Sequence, residues 1–269
     1  MKNILKNFLR KKNLYYPIRY SRLFRFYESL FNLAGINQQK KEISFYQSFL
    51  PACELIFDIG ANNGHKTEAF LTMSEKIVCC EPDVENFKLL QVRFRKHKKR
   101  VVFENKALSD KEGIAELRIH HPGSAFNTLS SKWMTLLEDD KGKKWSEQIK
   151  FTQKQTVETT TLDRLIDKYG IPDFIKIDVE GLEELVLKGL SHRVRFLSFE
   201  SILPEYATEL NSCIDLVEKL DNSALFNISL YDELILPDFM TKMEMMKWLQ
   251  SNKTVTSFEI IVKMPFESP

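Results

Sequence analysis

The sequence predicts an α/β fold, a mostly parallel, doubly wound sheet with helices on both faces. Two features carry that expectation. From Pro51 onward, short apolar runs alternate with stretches of helical periodicity, the pattern of strand–helix–strand units. The last two apolar stretches, ALFNISLYDEL and TSFEIIVKM, instead alternate apolar and polar residues, as the closing strands of a sheet do.

The elements follow in order. CELIFDIGANNGHKTEAF reads as a strand, a glycine-bearing turn and a helix. KIVCCEPDVENFKLLQVRFRKH is a strand ending in an acid and then a helix, and RVVFENKALSD holds a further strand. EGIAELRIH alternates, which predicts a short strand after the turn SDKEG. Residues 121–157 are polar and lysine-rich, and they read as an insertion or lid rather than a sheet element; long connections of this kind are often functional. TLDRLIDKYG is a helix closed by Gly170, and Pro172 leads into the strand DFIKIDVE. LEELVLKGL is a helix opening after Gly181, and VRFLSFES is the next strand. PEYATELNSCIDLVEKL completes the series as a helix with Pro204 in its first turn.

Composition sets limits. With 269 residues, 43% hydrophobic and 28% charged, the chain has apolar material for a sizeable core, and disorder is not expected. A net charge of +2 is too balanced for a nucleic-acid partner. Cys53, Cys79, Cys80 and Cys213 show neither a paired framework nor the spacing of a zinc site, so reduced thiols in a cytosolic protein are expected. No run approaches the ~20 apolar residues of a membrane span, and no signal peptide is recognisable, which points to a cytoplasmic location.

Charge is uneven along the chain. Met1 to Phe26 holds eight Lys or Arg residues, interleaved with aromatics, and no acid; helical spacing continues to Gly35. Residues 1–50 therefore read as a basic, largely helical extension, and 51–269 as the main domain. The extension suits two roles, packing on the domain or on a second copy in a homodimer, or peripheral contact with an anionic membrane surface.

Three motifs point to a ligand. In FDIGANNG, Gly60 and Gly64 sit between a strand and a helix, where glycine lets backbone approach a ligand. The GxGxxG of a dinucleotide site is absent, and Asp58 would repel a pyrophosphate; it suits the amino group of an amino-acid-bearing cofactor. Glu81, at the end of IVCCE, is placed to accept both hydroxyls of a ribose. NKALSD follows a third strand, so three successive strand ends face one crevice.

Together these residues resemble the S-adenosylmethionine-dependent methyltransferases of the Rossmann-like class. With TTTLDRLI, KIDVEGLEELVLKGL and LSFE in order, the resemblance narrows to the FkbM family and runs from about Leu55 to Glu200. It implies a seven-stranded sheet with a reversed C-terminal hairpin, S-adenosylmethionine as cofactor, and methyl transfer to a hydroxyl of a sugar, glycan or glycolipid. Carried over by position, Asp58, Gly60, Ala61, Asn62, Asn63 and Gly64 would line the methionine end. Glu81 and Pro82 would meet the ribose, Ala107 and Leu108 the adenine, and Asp178 and Glu180 would lie beside the sulfonium. Other acceptors, or a catalytically silent cofactor-binding module in a glycan-assembly complex, are the alternatives.

The acceptor chemistry asks for a base, because a sugar hydroxyl is a weak nucleophile. Asp178, Glu180 and Glu200 stand at strand ends; Asp178 is the first choice, and alternation puts Asp178 and Glu180 on one side. Glu180 alternatively faces the N-terminus of the following helix. The same carboxylates would suit a divalent ion, although none is predicted. His121, Asn127 and Thr128 in the insertion are expected substrate contacts, and His65 a surface residue.

Overall fold

The computed structural model describes residues 15–21, 33–140 and 148–265. Most of the basic N-terminal segment lies outside the described residues, as does part of the insertion. Within them, the extension contributes α1 (Tyr15–Arg19) and α2 (Leu33–Gln47). The expected helix end at Gly35 is corrected, because α2 runs straight through that residue and stops only at Gln47.

The sheet is formed by β1 (Cys53–Ile59), β2 (Ser74–Cys80), β3 (Val101–Glu104), β7 (Phe174–Ile177), β8 (Phe196–Ile202), β9 (Leu225–Ser229) and β10 (Ser257–Lys263). Their order is β3-β2-β1-β7-β8-β10-β9. The first five are parallel neighbours; β10 runs antiparallel between β8 and β9, giving the expected reversed hairpin. Burying both faces requires near-continuous apolar strands, and β7, FIKI, is buried at all four positions.

Alternation then sorts the side chains. Leu55, Phe57 and Ile59 of β1 join a core with α6 (Leu162–Tyr169), α7 (Glu183–Lys188), α8 (Ala207–Leu220) and α9 (Lys242–Ser251). Ile56 faces the opposite core, which contains Tyr46 of α2, Phe70 of α3 (His65–Phe70), and Leu90 of α4 (Val84–Arg93). Helix α8 begins at Ala207, so Pro204 precedes it rather than occupying its first turn.

A second sheet corrects the reading of the insertion. β4 (Lys106–Leu108) and β5 (Gly113–Ile119) both pair with β6 (Gln153–Thr160), which makes the end of the 121–157 segment a sheet element. Between β5 and β6 lies α5 (Ser131–Asp139), capped by the Ser130 hydroxyl, which accepts from Trp133 N.

One glycine fixes how β1 and β7 meet at their ends. Gly60 has φ +78°, and a Cβ there would stand 1.7 Å from the carbonyl oxygen of Asp178. Gly60→Ala is therefore expected to cost at least ~3 kcal/mol, since backbone must move as well as adopt a strained angle. Thermal unfolding of the variant checks this, and an unchanged midpoint would contradict the packing described.

Candidate active site

Four parallel strands deliver their C-terminal ends to one cavity of about 240 Å³. Its wall includes Ile59 at the end of β1, Gly60 and Asn62 after it, Glu81 and Pro82 after β2, Ala107 and Leu108 on β4, Asp178 and Glu180 after β7, and Glu200 on β8. The insertion closes one side with Ser124, Ala125, Asn127 and Leu129.

Glu81 is held rigidly. Its Oε2 accepts from Asn62 N at 2.7 Å and its Oε1 from Asp83 N at 2.8 Å. Each oxygen keeps a second acceptor site, enough for a pair of ligand hydroxyls. Asn105 Nδ2 donates to the carbonyls of Glu81 and Pro82, and Gln155 Nε2 also reaches Pro82 O, so the loop behind Glu81 is tied to the small sheet. Burial pushes the Glu81 carboxyl up to about 8 against these two backbone donors.

Asp83 ties the insertion to the same loop. Its Oδ1 caps α4 by accepting from Glu85 N and Asn86 N. Its Oδ2 accepts from Gly123 N at 3.0 Å and Asn127 Nδ2 at 2.5 Å, which brings Asn127 to the cavity.

A buried cation organises the acids on the other side. Lys176, only 1% exposed, donates from Nζ to Asp178 Oδ2 at 2.8 Å. Burial opposes its charge, but the carboxylates of Asp178, Glu200 and Glu259 outweigh that and hold its pKa above the ordinary lysine value. Glu180 is raised well above the carboxylate range by burial and by the charges of Asp178 and Glu200. Glu200 is exposed toward solvent, and its pKa is raised chiefly by the Asp178 charge. Among the described residues no group of three His, Cys, Asp or Glu side chains is arranged to hold a metal ion.

Several expected site residues stand elsewhere. Asp58 is buried with its carboxylate turned away from the cavity, accepting from Thr67 Oγ1 at 2.5 Å; burial raises it to about 6. Gly64 is required by packing, because a Cβ there would meet Leu90 on α4 and Phe94 just after it. Ala61 belongs to the α2 side of the core, and exposed Asn63 offers its carbonyl to Arg93. His121 is exposed beside Pro122, and buried Thr128 donates to Glu180 O at 2.8 Å, bracing the site from behind. His65 is half exposed, but its ring reaches the buried Glu42 carboxylate at 3.0 Å.

The helix-capping role considered for Glu180 is not seen: α7 has no side-chain cap, and Glu183 Oε1 accepts from Val179 N and Gly181 N in the loop before it. Glu180 instead takes a left-handed conformation, φ 57°, with its side chain on the cavity wall. The sequence reading missed Lys176, Asn86, Lys106, Leu117 and Ser124. Of these only Lys176 left a signal, a charged residue inside an otherwise apolar run.

A second, smaller cavity of about 40 Å³ adjoins the first and shares Glu180 and Glu200 with it. Its other lining includes Trp133, Gly181, Glu183, Ser201, Tyr206 and Glu209. Gly181, φ +94°, makes this wall possible: a Cβ there would lie 2.4 Å from the Tyr206 hydroxyl and 3.2 Å from Trp133.

The strand order with its reversed hairpin, and a crevice at the parallel strand ends with an acid after the second strand, define a Rossmann-like methyltransferase fold. The chain belongs to the FkbM family: the methyltransferase FkbM domain matches residues 58–225. The solved structure of methyltransferase FkbM from Methylobacillus flagellatus KT is similar at TM-score 0.51 and 16% identity, over 82% of this chain and 47% of that one. The chain thus spans about half the length of that relative. Precorrin-6y C5,15-methyltransferase from Geobacter metallireducens GS-15 aligns at TM-score 0.43 and 9% identity, over 86% of each chain. An rRNA methylase from Streptococcus thermophilus aligns at 0.40 and 11%, over 83% of this chain and 94% of that one. None of the curated proteins matches the chain in sequence. No helix among the described residues is long and apolar enough to cross a membrane.

Two predictions follow from the acids. Asp58, Glu81 and Glu183 all have folded pKa values above their unfolded ones, at about 6, 8 and 7. Their contribution to stability is complete below about pH 4 and is lost as pH rises to about 8. The thermal midpoint of the ligand-free protein should fall between pH 5 and pH 8.5, and Glu81→Gln should reduce the fall; a midpoint rising over that window would contradict the assignments. In calorimetric titration at pH 8.5, Glu81→Gln should weaken S-adenosylmethionine binding at least tenfold, and undiminished affinity would remove Glu81 from the cofactor site.

Proposed function

We propose that the chain is an S-adenosylmethionine-dependent O-methyltransferase acting on a hydroxyl of a sugar, glycan or glycolipid. The observation that carries this reading is the shared wall: Glu180 and Glu200 line both the larger cavity, which fits the cofactor, and the smaller cavity beside it.

The larger cavity matches an adenosyl amino acid in its sequence of surfaces. Pro82, Ala107, Leu108 and Leu117 offer an apolar stretch for a flat base, Glu81 offers acceptors for a diol, and Gly60, Asn62 and Asp178 form the polar end. When bound, S-adenosylmethionine supplies a methyl group on a cationic sulfur, an excellent leaving group. The protein's task is then to align the acceptor, exclude water and take one proton.

Asp178 is suited to take it. Lys176 fixes one of its oxygens, which leaves Oδ1 for the acceptor hydroxyl, with Glu180 and Glu200 on the same wall. Those two, holding protons more readily than ordinary carboxylates, orient the hydroxyl by donating to it or accepting from it. A catalytically silent module would need none of this arrangement.

Asp178→Asn should leave cofactor affinity within a few-fold of wild type and lower the rate by ~10² to 10⁴, the usual contribution of a positioned base. Methyl incorporation into cell-derived glycans from labelled S-adenosylmethionine gives the rate. A wild-type protein that binds the cofactor but labels no glycan would overturn the acceptor assignment.

A further inference from the structure

The smaller cavity carries polar groups that nothing in the protein satisfies. Ser201, 8% exposed, has its hydroxyl buried on this wall without a hydrogen-bond partner. Glu209, which lines the same cavity, is held through Oε1 by Lys132 Nζ, while its Oε2 is buried and unpartnered. Burying such groups without partners is unfavourable, so their presence asks for a ligand or for trapped water.

Their chemistry restricts the ligand. A free hydroxyl and a free carboxylate oxygen in one cavity are both satisfied by a group that accepts and donates, which is the property of an alcohol. The ionisable side chains on this wall besides Tyr206 and Cys213 are Glu180, Glu183, Glu200 and Glu209; no Lys, Arg or His lines it. Lys132 stands over the Tyr206 ring at 4.3 Å, with its charge committed to Glu209. An anionic ligand would meet four carboxyl groups and no cation. Trp133 and Tyr206, both buried and packed edge to face at 6.1 Å beside Gly181, give this wall its aromatic part.

We infer that this cavity is the acceptor subsite, that Ser201 and Glu209 hold a hydroxyl of an uncharged saccharide ring against Trp133 and Tyr206, and that anionic sugars are rejected there. This rests on the reading of the larger cavity as the cofactor site, because the shared Glu180 and Glu200 then bring the acceptor to the methyl group. The cavity holds only part of a ring, so the remainder of the acceptor extends toward the shared wall and solvent.

The test uses the full chain loaded with S-adenosylhomocysteine and saturation-transfer NMR against neutral oligosaccharides and their uronate or sulfated counterparts. Neutral members should bind and anionic ones should bind at least tenfold more weakly. Ser201→Ala and Glu209→Ala should each weaken the neutral ligand about fivefold, the loss of one hydrogen bond, with thermal midpoints near wild type. Equal binding of neutral and anionic sugars, or unchanged affinity in both variants, overturns the subsite even if wild-type protein methylates glycans. Saturation transfer to no saccharide overturns the subsite and the sugar acceptor together, whereas methyl incorporation alone decides whether the chain is an enzyme.

Discussion

The site depends on one buried ammonium. Lys176 occupies the middle of the central strand β7, 1% exposed, beside Asp58 on β1 and Ser198 on β8. A lone cation there would be prohibitive to bury, and so would the carboxylates that surround it. Together they are tolerable, because Lys176 neutralises part of the charge of Asp178, Glu200 and Glu259. The compensation is incomplete: Lys176 faces several acids, and at the strand ends Glu180 and Glu200 hold their protons more readily than ordinary carboxylates.

The two faces of the sheet do different work. On one side, α6 to α9 cover an apolar core that makes the scaffold rigid. On the other, α2 and α3 cover a mixed surface in which Lys66 bridges Glu42 and Asp232 close to the buried acids of the sheet. This places α2, the described end of the N-terminal extension, against the sheet face opposite α6 to α9, through Phe45 and Tyr46 as well as Glu42. Residues 33–47 are thus part of the domain's packing, although the family match begins only at residue 58.

Much of the fold was legible because parallel strands buried on both faces leave continuous apolar runs, as in CELIFDI and FIKI. β6 was not, since QKQTVETT buries only Val157, Thr159 and Thr160 and presents its other residues outward, leaving no apolar signal. Within the site, Glu81, Asp178, Glu180 and Glu200 could be read because acids at the ends of buried strands need a reason to be there. Asp58 misled for a physical cause: strand alternation puts its side chain on the face of Ile56, opposite Ile59, and Thr67, nine residues later, holds the carboxylate there. The smaller cavity left no sequence signal, because Trp133 on α5 and Tyr206 before α8 meet only through the missing side chain of Gly181.

The central claim is that acids from successive strand ends converge on a cofactor cavity with an acceptor space beyond it. A crystal structure with S-adenosylhomocysteine tests this directly. The account predicts both ribose hydroxyls on Glu81, the base against Pro82 and Leu108, and the sulfur toward Asp178 and the wall formed by Glu180 and Glu200. A ligand bound elsewhere, or in this cavity with the ribose away from Glu81, would contradict it.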